Sequence, residues 1–143
     1  MASQLFYEDV EVGSNIPTLV KHPTIVQLVK YAGAIGDYSP YNFDREYARN
    51  IGFPDALITG SLILGFLAQM LTDWIGEAGT LKRLSCQHRA TRHPEADILC
   101  KGKVTQKYIQ EGLRYVECEI WAENERGERS TPGTALVILP NRK

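Results

Sequence analysis

The run Tyr31-Ala-Gly-Ala-Ile-Gly-Asp37-Tyr-Ser39-Pro40-Tyr41-Asn42-Phe-Asp44 packs a small-residue turn, a carboxylate, a carboxamide and a rigid proline just upstream of a long apolar stretch. A positioned carboxylate can orient a water molecule or take its proton. Asn42 can donate and accept hydrogen bonds but cannot trade protons at any accessible pH. Asp37 after Gly36 is also what a plain turn or helix cap requires. Histidine is the side chain that titrates near neutrality, and the chain has three, His22, His88 and His93. His22 falls in the N-terminal arm. His88 alternates with Cys86 and could line a cleft, but a lone strand histidine is more often a hydrogen-bonded surface or core residue. None of the three is assigned to the site. Cys86, His88, His93 and Asp97 match no zinc-ligand spacing, so no metal is expected.

These residues need elements to hold them. The apolar run Ile58 to Ile75 carries Leu62, Ile63, Phe66, Leu67, Met70, Leu71, Trp74 and Ile75 at helical spacing around most of its circumference, which predicts a buried central helix. Thr59, Ser61, Gln69, Thr72 and Asp73 interrupt it, whereas a membrane span needs about 20 mostly apolar residues. Upstream, Thr24 caps a short helix carrying Ile25, Leu28, Val29, Ala32 and Ile35, and Gly33 and Gly36 mark its end. Asp44 caps a second, through Ile51, before Gly52-Phe-Pro54 breaks it. Residues 1 to 21 read as one short strand or an extended arm.

Downstream of Gly76 and Gly79 the pattern changes to strands at Leu81–Ala90, Asp97–Lys107, Leu113–Glu123 and Ser130–Leu139. In the third, Val116, Cys118, Ile120 and Ala122 share one face. Tyr108 to Gly112 and Asn124 to Gly127 read as hairpin turns. The expectation is an antiparallel meander of consecutive hairpins wrapped around the central helix, an α+β fold forming one domain over residues 1–143.

Composition excludes several classes of function. The 143 residues are 43% hydrophobic and 23% charged with a formal net charge of -1, which leaves no field for gathering nucleic acid or an anionic membrane. Cys86, Cys100 and Cys118 are odd in number, form no C-x-x-C pair and follow no signal peptide, so reduced thiols and a cytoplasmic setting are expected. Lys82, Arg83, Arg89, Arg92, Lys101, Lys103 and Lys107 gather in the first two downstream strands. They suit phosphates, and a solvated strand face explains them equally well. Tyr31, Tyr38, Tyr41 and Phe43 around the loop suit an apolar channel, with simple packing the safer reading.

Gly36-Asp37-Tyr38-Ser39-Pro40-Tyr41-Asn42-Phe43-Asp44, followed by Ile58-Thr59-Gly60 at the helix opening, resembles the MaoC-like (R)-specific enoyl-CoA hydratase/dehydratase family. Its hallmark is Gly-Asp-x-Asn-Pro-x-His-x-Asp with a later Ala-His-Gly step. The likeness continues through Tyr47-Ala48, Gly52-Phe53, Gly127 and Pro132 to Pro140. It implies a hotdog fold and the addition of water to enoyl thioesters, or its removal from 3-hydroxyacyl thioesters. The acyl group rides on coenzyme A or an acyl carrier protein, so coenzyme A or phosphopantetheine enters only with the substrate and no cofactor is implied. On the same basis Asp37 and Asn42 are the catalytic positions, with Asp37 activating water. The Gly60 backbone N–H receives the thioester carbonyl, and Ser39, Pro40, Tyr41 and Thr59 are substrate-binding. Asn42 stands where the family has histidine. The alternative is therefore a non-catalytic hotdog subunit that binds acyl thioester or completes a heteromeric hydratase. The resemblance further implies a homodimer or a pairing with a second hotdog chain. It extends to small subunits of steroid side-chain degradation as well as to fatty acid metabolism.

Overall fold

Alternating and helical patterns resolve into regular elements in the computed structural model, which describes residues 3–142. In chain order they are β1 (Asn15–Lys21), α1 (Ile25–Ile35), α2 (Arg45–Asn50), α3 (Gly60–Ile75), β2 (Thr80–Cys86), β3 (Ile98–Gln110), β4 (Leu113–Glu123) and β5 (Arg129–Ile138). Short 3-10 turns lie at Tyr7–Asp9 and Pro40–Asn42. The strands form one antiparallel sheet in the order β1-β3-β4-β5-β2.

That order corrects the expected run of consecutive hairpins. Only β3, β4 and β5 form a meander, while β2 crosses to the far edge and pairs with β5, with Cys86 opposite Gly133. The β2–β3 connection is too long for a hairpin turn, and the free edge of β3 is taken by β1, with Ile16 opposite Gly102. Pro17, which has no N–H to give a ladder, sits where the β1 register shifts, at an edge where its missing donor is tolerated. Sequence proximity predicts strand pairing only in part. β2 also ends earlier than expected, at Cys86, although Gln87 and Arg89 still donate backbone hydrogen bonds to Pro132 and Ser130 beside β5 (2.9 and 2.8 Å).

The inward residues of the sheet are apolar because alternation puts them on one face. Ile98, Cys100, Val104, Val116, Cys118, Ile120, Ala122, Ala135 and Val137 are buried there against Leu62, Ile63, Phe66, Leu67, Met70, Leu71 and Ile75 of α3. The sheet's wrap is incomplete in the single chain. Ser61, Gly65, Gln69 and Asp73, four residues apart, form an exposed stripe along α3, so the helix packs on one face rather than being surrounded. Burial pushes the Cys100 and Cys118 thiols up to about 12, which makes them inert core residues. Among the described residues no helix is long and apolar enough to cross a membrane.

Local signals hold where short-range chemistry decides them. Thr24 Oγ1 accepts from the Gln27 N–H (3.2 Å) and Asp44 Oδ1 from the Tyr47 N–H (3.1 Å), both as N-caps. Gly36 ends α1 in the left-handed region at φ 71°. A two-residue turn with positive φ at Glu111 and Gly112 joins β3 to β4, the geometry that matches strand twist.

Gly133 is where β5 comes closest to β2. A Cβ there would lie 2.3 Å from the Ser85 carbonyl oxygen, a backbone atom that cannot rotate away. Gly133→Ala should therefore destabilise the protein by about 1–3 kcal/mol, read as a lower urea midpoint in equilibrium unfolding.

Candidate active site

The N-terminus of α3 is the point on which two loops converge. Before it, Leu57 N–H donates to Tyr41 O (2.8 Å) and Ile58 N–H donates to Arg92 O (2.8 Å). His93 Nδ1 reaches Ala56 O on the same segment (2.7 Å). These bonds tie the loop after α1 and the loop after β2 to the opening of the central helix. Between them lies a cleft of about 470 Å3 lined by Asp37, Tyr41, Asn42, Leu57, Ile58, Thr59, Gly60, Ile63, His88, Arg89, Ala90, Thr91 and Arg92. A neighbouring hollow of about 480 Å3, between Arg92, Asp97, Asn124 and Glu128, contains neither Asp37 nor Gly60.

Asp37 follows the left-handed Gly36, and its N–H donates to Ala32 O as the closing bond of α1 (3.1 Å). The chain then turns, and Asp37 Oδ1 accepts from both the Ser39 hydroxyl (2.8 Å) and the Ser39 N–H (3.1 Å). The carboxylate is exposed, and these two donors, the hydroxyl first, hold its pKa below the usual carboxylate value. Asp37 is thus a fixed anion and a weak proton acceptor. Among the described residues its Oδ2 has no hydrogen-bond partner. Pro40 starts the 3-10 turn that carries Tyr41 and Asn42. Asn42 is buried, with 6% of its surface accessible, yet its carboxamide makes no hydrogen bond to the described residues.

Gly60 opens α3 where unpaired backbone N–H groups and the positive end of the helix dipole favour developing negative charge. Its missing Cβ matters, because that atom would sit 2.8 Å from Cδ2 and Nε2 of His88. The imidazole is therefore packed onto the first residue of the helix.

Of the seven positions singled out from the sequence, Asp37, Asn42, Tyr41, Thr59 and Gly60 line one cleft. Ser39 and Pro40 do not line it: Ser39 grips Asp37 and Pro40 sets the turn. The correction concerns His88, which the sequence left unassigned and the fold brings into the cleft with Arg89 and Arg92. Its alternation with Cys86 was the available signal, but the strand pairing that points it there was not readable from spacing.

The other suspected groups disperse. His22 bonds Asp97 (2.8 Å) and His93 bonds Ala56 O, so the imagined cluster with Cys86 and His88 does not assemble. Among the described residues no three His, Cys, Asp or Glu side chains gather as a metal site. Lys107 donates to Tyr7 O and Val10 O, Lys101 pairs with Glu123, and Arg92 donates to Glu128 O. These three cations are occupied in holding the fold. Tyr31 likewise serves packing, its hydroxyl 2.7 Å from Ser61 Oγ across α1 and α3.

No family model matches the sequence, and no curated protein matches it either. Solved structures do match. An (R)-hydratase from A. caviae involved in PHA biosynthesis has a TM-score of 0.82 at 19% identity, covering 93% of this chain and 99% of that one. A MaoC-like dehydratase from Rhodospirillum rubrum has a TM-score of 0.83 at 20% identity, covering 97% and 99%. The ChsH1-ChsH2 complex from Mycobacterium tuberculosis matches with a TM-score of 0.77 at 20% identity over 90% and 98%. The chain accordingly has the hotdog fold of the MaoC-like dehydratases and (R)-hydratases.

Proposed function

We propose that this protein is a hydratase/dehydratase of enoyl and 3-hydroxyacyl thioesters, with the acyl group carried on coenzyme A or an acyl carrier protein. The observation that carries the reading is that Asp37, Asn42 and the half-buried first residue of α3, Gly60, share one cleft in a fold of this type. In hydration the water oxygen bonds to the β carbon of the enoyl thioester and a proton reaches the α carbon. The electron pair of the double bond passes through the α carbon toward the thioester oxygen. The Gly60 N–H receives that charge at the helix N-terminus. Asp37 activates the attacking water, and its hydrogen-bonded, exposed carboxylate suits orientation better than deprotonation. Asn42 holds the water from the other side through its carboxamide. Tyr41 and Thr59 shape the acyl channel, and Ser39 and Pro40 keep the loop in register. Coenzyme A or phosphopantetheine arrives as part of the substrate.

A second reading is supported by Asn42, a carboxamide where proton transfer would call for an imidazole, together with the likeness to one chain type of the two-component ChsH1-ChsH2 complex. On that reading the protein is a hotdog subunit that binds acyl thioester or completes a hydratase with a second hotdog chain. A homodimer is the corresponding expectation for the first. The exposed stripe of Ser61, Gly65, Gln69 and Asp73 on α3 and the open edge of β2 are surfaces such a partner would cover.

The purified protein should consume enoyl-thioester absorbance with short-chain, long-chain or steroid acyl-CoA, and Asp37→Ala should abolish turnover. Retained activity in that variant removes Asp37 from the site. Asn42→His should raise the rate or add a pH limb near neutrality, since positioned acid/base groups contribute about 100-fold to 10,000-fold. If the protein alone is inactive and neither variant changes that, the subunit reading holds. Gly60→Ala separates chemistry from stability. The His88 ring can swing from the added methyl, so folding stability should shift by less than about 1 kcal/mol. Turnover should still fall by at least about 10-fold, as the approach to the N–H narrows and the His88 ring beside it is displaced. Unchanged turnover would show that Gly60 serves packing only.

A further inference from the structure

Asn42 leaves the cleft without a proton carrier at the position where the resemblance implies one, and Asp37 is poorly suited to replace it. Its Oδ1 already takes two hydrogen bonds from Ser39. Water addition nevertheless requires a proton to leave the attacking water and one to arrive at the α carbon. The remaining titratable and charged groups facing the cleft are Tyr41, His88, Arg89 and Arg92. Guanidinium groups keep their protons, and Arg89 is further engaged with Gln87 Oε1 (2.7 and 3.1 Å). Cys86 lies beside His88, where burial pushes its thiol up. The imidazole is the group among these whose chemical type trades protons near neutrality.

We propose that His88 is a catalytic residue that shuttles the proton between the attacking water and the α carbon. This rests on the hydratase reading given above. Three features hold the ring for such a role. The N–H groups of the flanking residues Gln87 and Arg89 are bonded to β5 at 2.9 and 2.8 Å, so the backbone at His88 is fixed even though the strand proper has ended. The Gln87 and Arg89 side chains bond each other on one side, and His88 turns to the other with Cys86, whose Sγ lies 3.9 Å from Nε2. The ring then rests on Gly60, where a methyl group would be 2.8 Å from Nε2. The proposed proton carrier thus sits against the residue proposed to receive the thioester oxygen.

The step balances without a co-reactant. As the water oxygen bonds to the β carbon, neutral His88 takes one water proton, and the π electrons move to the α carbon and thioester oxygen. The imidazolium then returns that proton to the α carbon as the carbonyl re-forms, leaving His88 neutral and the 3-hydroxyacyl thioester complete. Dehydration runs the same path backwards. Asp37 keeps the water oriented and remains ionised throughout. Because the neutral imidazole is the active form for hydration, activity rises with pH across the range in which an imidazole titrates.

The test measures kcat and KM for crotonyl-CoA hydration from about pH 5 to about pH 9, the span over which an imidazole can change its charge. The proteins compared are the intact protein, His88→Gln, Asp37→Ala, and His88→Gln combined with Asn42→His. His88 is exposed, so His88→Gln should fold, and its thermal midpoint checks that. The expected result is an acidic limb in kcat for the intact protein. In His88→Gln kcat drops by about 100-fold, KM holds within about threefold and the limb is lost. The double variant should recover part of the rate, because it returns an imidazole to the cleft. If Asp37→Ala abolishes turnover while His88→Gln keeps both rate and limb, the role of His88 is overturned and the hydratase reading stands. Absence of the acidic limb in the intact protein overturns it independently of any variant. Absence of turnover in the intact protein with short-chain, long-chain and steroid enoyl-CoA alike overturns both.

Discussion

The site depends on how α3 is fixed along the sheet. Its apolar side is locked against β1, β2, β3 and β4, and the burial of each large side chain contributes roughly 1.5–3 kcal/mol. Close approaches between strands fix the sheet on which it packs. Gly102 has no Cβ to meet Ile16 and Ile120, and Gly133 has none to meet the β2 backbone. A helix fixed this firmly presents its N-terminus at one place, and two loops hang from that place by the bonds from Leu57 to Tyr41 and from Ile58 to Arg92. The cleft is a consequence of that anchoring.

Division of labour within the cleft follows from the same scaffold. The Asp37 loop is a local device: Gly36 reverses the chain, Ser39 returns two hydrogen bonds, and Pro40 starts the next turn. It yields a stable carboxylate at the price of basicity. The loop after β2 is a tertiary device. Its backbone is held by hydrogen bonds to β5, and it lays an imidazole against a glycine more than twenty residues earlier in the chain. An amide at Asn42 thus has different consequences depending on what the second loop contributes. The pairing of β2 with β5 governs what lines the cleft as much as the motif does.

Legibility divides along physical lines. The caps at Thr24 and Asp44, the left-handed stop at Gly36, the turn at Gly127 and the inward row Val116, Cys118, Ile120 and Ala122 depend on interactions within a few residues. Each was readable, and the likeness of the Asp37 loop to a known motif pointed to the fold later seen in solved structures. Five of seven nominated site residues meet in the cleft because three of them, Asp37, Thr59 and Gly60, lie on, or directly adjoin, elements whose ends the sequence marks clearly. The other two, Tyr41 and Asn42, ride on the turn begun by Pro40.

The amino-acid sequence by itself determined the helices, the strand faces and the Asp37–Gly60 frame, since periodicity, capping and turn chemistry act over short separations. Only the tertiary structure decided that β2 crosses to the far edge, that α3 keeps one face open, that Ser39 is a brace for Asp37, and that His88 belongs to the cleft. Those four facts depend on which strand edges meet and which side chains are left facing one another. Alternation fixes the face on which a side chain lies, but it carries no information about the strand that will pair alongside it.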